Sequence, residues 1–205
     1  MAGTARADPS DRTLVLTGLA MAPPTYLLGV TLHETSHALA AVLVGASVDR
    51  LHVFPPGRDP STGTFRFGWT YVHGLATRSG KIAFYAAPKI TDAALLGGFA
   101  ALVLTGAWPD NRYGQLALTV LATGFWIDFS KDVVLFAHTN DVVKVLDLWS
   151  LTGWRQLPAR LVYAGAALGL GLLVARGYQR TFDRTEPASG TAVTQLILPM
   201  MTTTF

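Results

Sequence analysis

Four apolar stretches punctuate the chain, and its charged residues gather between them. Thr13 to Leu32 holds twenty residues without a formal charge, close to the length of helix that crosses a bilayer core. Pro23-Pro24 interrupt it, which predicts a short lead-in followed by a helix starting near Thr25. Ala93–Trp108, Tyr113–Ile127 and Leu161–Ala175 follow with 16, 15 and 15 residues. Each falls short of the roughly 18 that make a span unaided. Lys89, Arg112, Arg160 and Arg176 flank them, however, and can snorkel toward the interface to extend the usable length. The runs are apolar all round, where a helix of a soluble domain shows a polar stripe. Core helices of a soluble protein are the competing interpretation. Gly165 and Gly169 form a small-xxx-small pair that permits close helix contact.

Between Ser47 and Lys89 the pattern changes. Val48–Phe54 alternates loosely and ends at Pro55-Pro56, and Asp59-Pro60-Ser61-Thr62-Gly63 is turn-like. Thr64–Val72 is rich in β-branched and aromatic residues, so the segment predicts a small β-hairpin. Its edges cannot face lipid, so it must sit on protein or at the interface. The expected architecture is mainly α: a polytopic helical membrane protein of about four spans, with room for five or six apolar helices. The whole chain, 1–205, forms one domain. Residues 13–45 carry the first long helix, 47–89 a β-rich insertion, 90–177 a helical core and 178–205 a tail. With four spans, Lys and Arg number ten on the hairpin side and six on the other, which points the hairpin toward the cytoplasm. The amino-terminal apolar segment does not look like a cleavable signal, since no small-residue site precedes the helix it enters.

Composition sharpens this picture. Only 14% of residues are charged, against roughly 25% in an ordinary soluble domain, so a disordered or heavily solvated chain is excluded. The net charge of +3 is too small and too dispersed to argue for a nucleic-acid partner. The chain has no cysteine, so any metal site must draw on His, Asp or Glu. The five tryptophans, Trp69, Trp108, Trp126, Trp149 and Trp154, fall mainly near segment ends, as an interfacial belt would place them.

Against that background one cluster stands out: His33-Glu34-Thr35-Ser36-His37. On a helix the two histidines lie one turn apart on one face, so both imidazoles can grip a single zinc ion. Glu34 lies beside them, where a carboxylate can take a proton from water polarised by the metal and later return it to a leaving amine. With two glutamates and five histidines in the chain, random placement gives this pattern about once in a thousand such sequences. Ionisable side chains inside an apolar helix are costly and point to function. His52 and His73, in the β-rich segment, read as ordinary hairpin histidines. Asp128 and Asp132, with Lys131 between them, read as a solvated interfacial loop.

Leu32-His33-Glu34-Thr35-Ser36-His37-Ala38-Leu39-Ala40-Ala41, with Gly45 and Val48 beyond, resembles the site-2 protease family of intramembrane zinc metallopeptidases. The order of elements is similar through about residue 150, and Ala87-Pro88 resembles a small-residue/Pro feature of that family. The resemblance implies an integral, multi-pass membrane endopeptidase with one zinc ion. It would cleave a membrane-protein or peptide substrate in or beside the bilayer, with membrane lipid around it. His33 and His37 would be ligands and Glu34 the catalytic base. A non-catalytic zinc-binding membrane protein, a degenerate relative, is the alternative.

Catalytic zinc takes three protein ligands, and the family supplies the third from a Leu-Asp-Gly setting. Here Asn140-Asp141-Val142 and Leu146-Asp147-Leu148 both lack the Gly. Asp141 is preferred because Thr139-Asn140 makes a plausible helix cap that would hold its carboxylate at a helix start, within a third-ligand segment near 138–148. Asp147 is the alternate, followed by His138, Asp128 and Asp132. Asn140 and His138 are candidates for touching substrate or supporting the ligands. The uncharged tail 189–205 has no assigned role, and the oligomeric state is open.

Overall fold

The computed structural model describes residues 8–134 and 140–183. His138 and the 189–205 tail therefore lie outside the described residues. The first helix, α1 (Asp11–Leu43), is capped by Ser10, whose side chain accepts from the Thr13 N–H at 3.2 Å. It runs unbroken through Pro23 and Pro24 instead of starting near Thr25. Packing on both sides of the prolines overrides the break. Leu14 is fully buried against Leu116 and Val120, and Thr25 lies so close to Gly124 that a Cβ there would sit 2.7 Å from its methyl group.

The chain leaves α1 through Gly45, which sits at φ +81°, a conformation that favours glycine. Strand β1 (Ser47–His52) pairs antiparallel with β4 (Trp69–His73), placing His52 opposite Trp69. Beyond them β2 (Gly57–Arg58) pairs with β3 (Phe65–Arg66), so the expected hairpin is an extended ribbon of two short sheets. At its tip Asp59 accepts from the Ser61 N–H and hydroxyl and from Tyr71, and faces Arg66. Burial opposes its ionisation, but the Tyr71 and Ser61 donors hold the carboxyl well below the usual carboxylate range. Val48 and Val72 seat the ribbon's base on Ala41 and Phe84.

Helix α2 (Arg78–Thr105) starts inside the segment assigned to the β-rich insertion, because Thr77 caps it by accepting from the Gly80 N–H at 3.0 Å. Then come α3 (Arg112–Val134), the short α4 (Asp141–Leu148), a 3-10 turn (Gly153–Gln156) and α5 (Leu157–Phe182). Three of these segments are long and apolar enough to cross a membrane: Asp11–Leu43, Arg78–Thr105 and Gly153–Phe182. Helix α3 is not among them, so three candidate spans stand among the described residues where four were expected. It packs against α1, α2 and α5, and a helix enclosed by others need not be apolar on every side. Its Thr119 and Thr123 hydroxyls bond carbonyls of their own helix at 2.8 Å, and Thr123 also meets Tyr178. The outward faces are apolar, with Leu16 and Leu19 exposed on α1 and Leu161, Val162 and Leu168 on α5.

Helix contacts among lipid-like surfaces rest on close approach more than on water exclusion. The small-residue pair Gly165 and Gly169 does not provide it, since a Cβ at either would meet nothing within 4 Å. The close contacts of α5 are at Gly171, where a Cβ would sit 2.9 Å from the Trp126 ring, and at Gly177, where it would meet Thr119 and Phe99. The tryptophan belt is likewise narrower than expected. Trp149 and Trp154 are exposed, whereas Trp69 is buried and stacked on His52 and Trp126 donates to the Ala167 carbonyl at 2.7 Å.

Candidate metal centre

His33 and His37 project from one face of α1 with ring centroids 5.0 Å apart. Asp141 meets them from the first turn of α4. Its Oδ2 lies 3.4 Å from His33 Nε2 and 3.1 Å from His37 Nε2. One atom from each of the three residues falls within a 4.8 Å group that could hold a metal ion. Asn140 provides the orientation: its side chain caps α4 by accepting from the Val143 N–H at 2.8 Å, so Asp141 starts the helix facing α1. Burial works against the charge on Asp141, but the two imidazoles opposite, when protonated, hold its carboxyl well below the ordinary range. Asp147 is elsewhere, accepting from Gln156 at 2.9 Å.

The far side of each imidazole is also occupied. His33 Nδ1 meets Asp128 Oδ2 at 2.8 Å, and His37 Nδ1 donates to the Phe84 carbonyl at 2.8 Å. The Phe84 ring stacks on His37 with centroids 4.5 Å apart. A carbonyl can only accept, so Nδ1 of His37 carries the proton and Nε2 keeps its lone pair when the ring is neutral. The Asp128 carboxylate selects the same tautomer for His33. Two imidazole nitrogens and one carboxylate oxygen facing one another could hold a metal ion, and they are donor types that zinc accepts.

Asp128 belongs to a buried charge network that neither it nor Asp132 was expected to form as a solvated loop. Lys89 Nζ donates to the Asp128 carbonyl at 2.5 Å and lies 3.1 Å from Asp128 Oδ2, 3.3 Å from Asp132 and 3.7 Å from Asp92. Lys131 pairs with Asp128 from the outside. Lys89 therefore does not snorkel to an interface; Lys89, Asp92 and Asp132 are all buried. Three carboxylates around one ammonium take the place of water, and the network ties α2 and α3 to the histidine on α1.

Glu34 is buried and faces the ribbon instead. The Thr70 hydroxyl of β4 donates to Glu34 Oε2 at 2.7 Å and lies 3.1 Å from the Glu34 carbonyl. Gly68 allows this approach, since a Cβ there would sit 2.8 Å from Glu34 Cγ and Val30 Cγ1 and 3.0 Å from the His52 carbonyl. Sequence reasoning missed Thr70, Gly68 and the Asp128 contact. Gly68, alone in a β-prone aromatic run, was a usable signal, because an isolated strand glycine marks close backbone approach. His52 and His73 stay in the hairpin: His52 Nε2 meets the Pro55 carbonyl and His73 pairs with Asp49.

The Peptidase M50B-like family profile matches residues 13–200. The chain belongs to this family. The site-2 protease resemblance carried by His33–His37 agrees with that membership. No curated protein and no solved structure matches the chain. Membership in a Peptidase M50B-like family and three apolar helices point to a membrane metallopeptidase. This member has no glycine after Asp141, and the capping bond of Asn140 orients the carboxylate at the helix start.

Proposed function

We propose that this chain is a zinc-dependent membrane endopeptidase that hydrolyses peptide bonds in or near the bilayer. The observation that carries the reading is the convergence of His33, His37 and Asp141, with Glu34 next in sequence to His33, on a Peptidase M50B-like chain. His33, His37 and Asp141 hold one zinc ion in this reading. The ion supplies the Lewis acidity that brings a water proton within reach of a carboxylate near neutral pH. Thr70 anchors Glu34 through Oε2 and leaves Oε1 to take that proton and deliver it to the leaving amine. Asp128 and the Phe84 carbonyl hold the two imidazoles so that each Nε2 faces Asp141. The substrate is a membrane protein or peptide whose scissile segment reaches α1 beside the ribbon.

A non-catalytic zinc-binding role is the alternative, and the missing glycine after Asp141 is what favours it. Three protein donors among the described residues, with the buried Glu34 adjacent in sequence to the ligand His33, favour catalysis. Replacing Glu34 by Gln separates the two. The variant is expected to keep its zinc and lose about 10²–10⁴-fold in cleavage rate, the contribution of a general base. Cleavage at the wild-type rate by zinc-loaded Glu34→Gln contradicts the mechanism.

A further inference from the structure

We infer that Pro88 is a positioning residue for the metal centre, acting through the backbone. It rests on the reading of His37 as a zinc ligand. Pro88 lies inside α2 and is fully buried. In an α-helix its N–H would bond the carbonyl four residues back, which is that of Phe84, but proline has no N–H to give. A buried carbonyl left without a donor is costly. Here the donor is His37, whose Nδ1 reaches the Phe84 oxygen at 2.8 Å from α1.

The exchange satisfies two groups at once. Phe84 regains a donor, and His37 is fixed in the tautomer that turns Nε2 toward Asp141, 3.1 Å away. The Phe84 ring, stacked on the imidazole, sets its plane. His33 has a carboxylate for the same task, Asp128 on α3. Among the described residues His37 has no side-chain acceptor at its Nδ1, and a helix carbonyl is available there because residue 88 is proline. An N–H restored at position 88 competes for that oxygen along the helix axis and weakens the hold on His37. Partners of this kind, bonded to the far side of a ligand histidine, contribute about 10–100-fold in metal affinity.

The test measures zinc affinity of the detergent-purified full chain by chelator competition, together with thermal stability and the absorption spectrum of the cobalt-substituted protein. Pro88→Ala is expected to bind zinc tenfold or more weakly and to shift the cobalt spectrum. Its melting temperature is expected to stay level or rise, because a helix-interior proline is removed. Loss of affinity alongside unchanged or greater stability is a combination that a merely structural proline does not produce. Pro88→Val, which restores the N–H and keeps most of the volume, should behave alike and excludes a cavity as the cause. Pro24→Ala, in α1, should leave zinc affinity unchanged. Wild-type zinc affinity in Pro88→Ala and Pro88→Val overturns the inference, as does an equal loss in Pro24→Ala. His37→Ala keeps the two levels apart. If it loses zinc while the Pro88 variants do not, this inference alone fails; if it retains wild-type zinc affinity, the ligand assignment fails and takes the inference with it.

Discussion

The ligand and base roles proposed for the turn His33–His37 are supported by different parts of the molecule. His33 and His37 are held by the helical core, through Asp128 on α3, the Phe84 carbonyl on α2 and Asp141 on α4. Glu34, between them in sequence, is held by the β ribbon through Thr70 and the gap at Gly68. The metal side is charged and buried, with Lys89 balancing three aspartates. The ribbon side offers Glu34 one neutral hydroxyl and close backbone. A ligand needs a fixed orientation and a fixed tautomer, which buried charge-assisted bonds supply. A base must take up and release a proton, and a neutral donor holds it without adding a countercharge. The two sides should therefore fail differently when perturbed.

Asp128→Ala is the stronger perturbation. It removes the His33 Nδ1 acceptor, and Lys89 keeps Asp92 and Asp132 as partners, so the cation is not stranded. Zinc affinity should fall about 10–100-fold, with cleavage recovering as zinc is raised to saturation. Chelator competition combined with zinc-dependent cleavage checks this; unchanged affinity would show that the helical side does not support the ligands. Thr70→Val is the milder change, replacing a hydroxyl with a methyl of similar shape. Losing a hydrogen bond to a charged group costs about 1.5–3 kcal/mol, and only the share that differs between ground and transition state slows cleavage, so the rate at saturating zinc should drop roughly tenfold while zinc affinity holds. A fall in zinc affinity instead would erase the distinction between the two sides.

The parts of this arrangement that were legible in the sequence are local ones. The zinc-spaced histidines, the hairpin bounded by prolines and glycines, and the Asn140 cap ahead of Asp141 each depend on residues a few positions apart. Apart from the early start of α2 at the Thr77 cap, the parts that differed depend on contacts between distant segments. Lys89 read as a flanking cation because nothing near it in sequence shows that Asp128 and Asp132 will surround it. Pro23-Pro24 read as a break because Leu116, Val120 and Gly124, which hold α1 on either side, lie about a hundred residues away. The charge-free run of α3 is local, whereas its enclosure by α1, α2 and α5, which lets it be less apolar than the three candidate spans, is not. The role of Pro88 is of the same kind: the proline is visible, but the histidine it serves is on another helix.

The most direct test of the central claim, that His33, His37 and Asp141 form one zinc centre, is the zinc content of the purified protein compared with that of Asp141→Ala. The account predicts about one zinc per chain in the wild type and little or none in the variant, with the fold retained. Undiminished zinc in Asp141→Ala would contradict it.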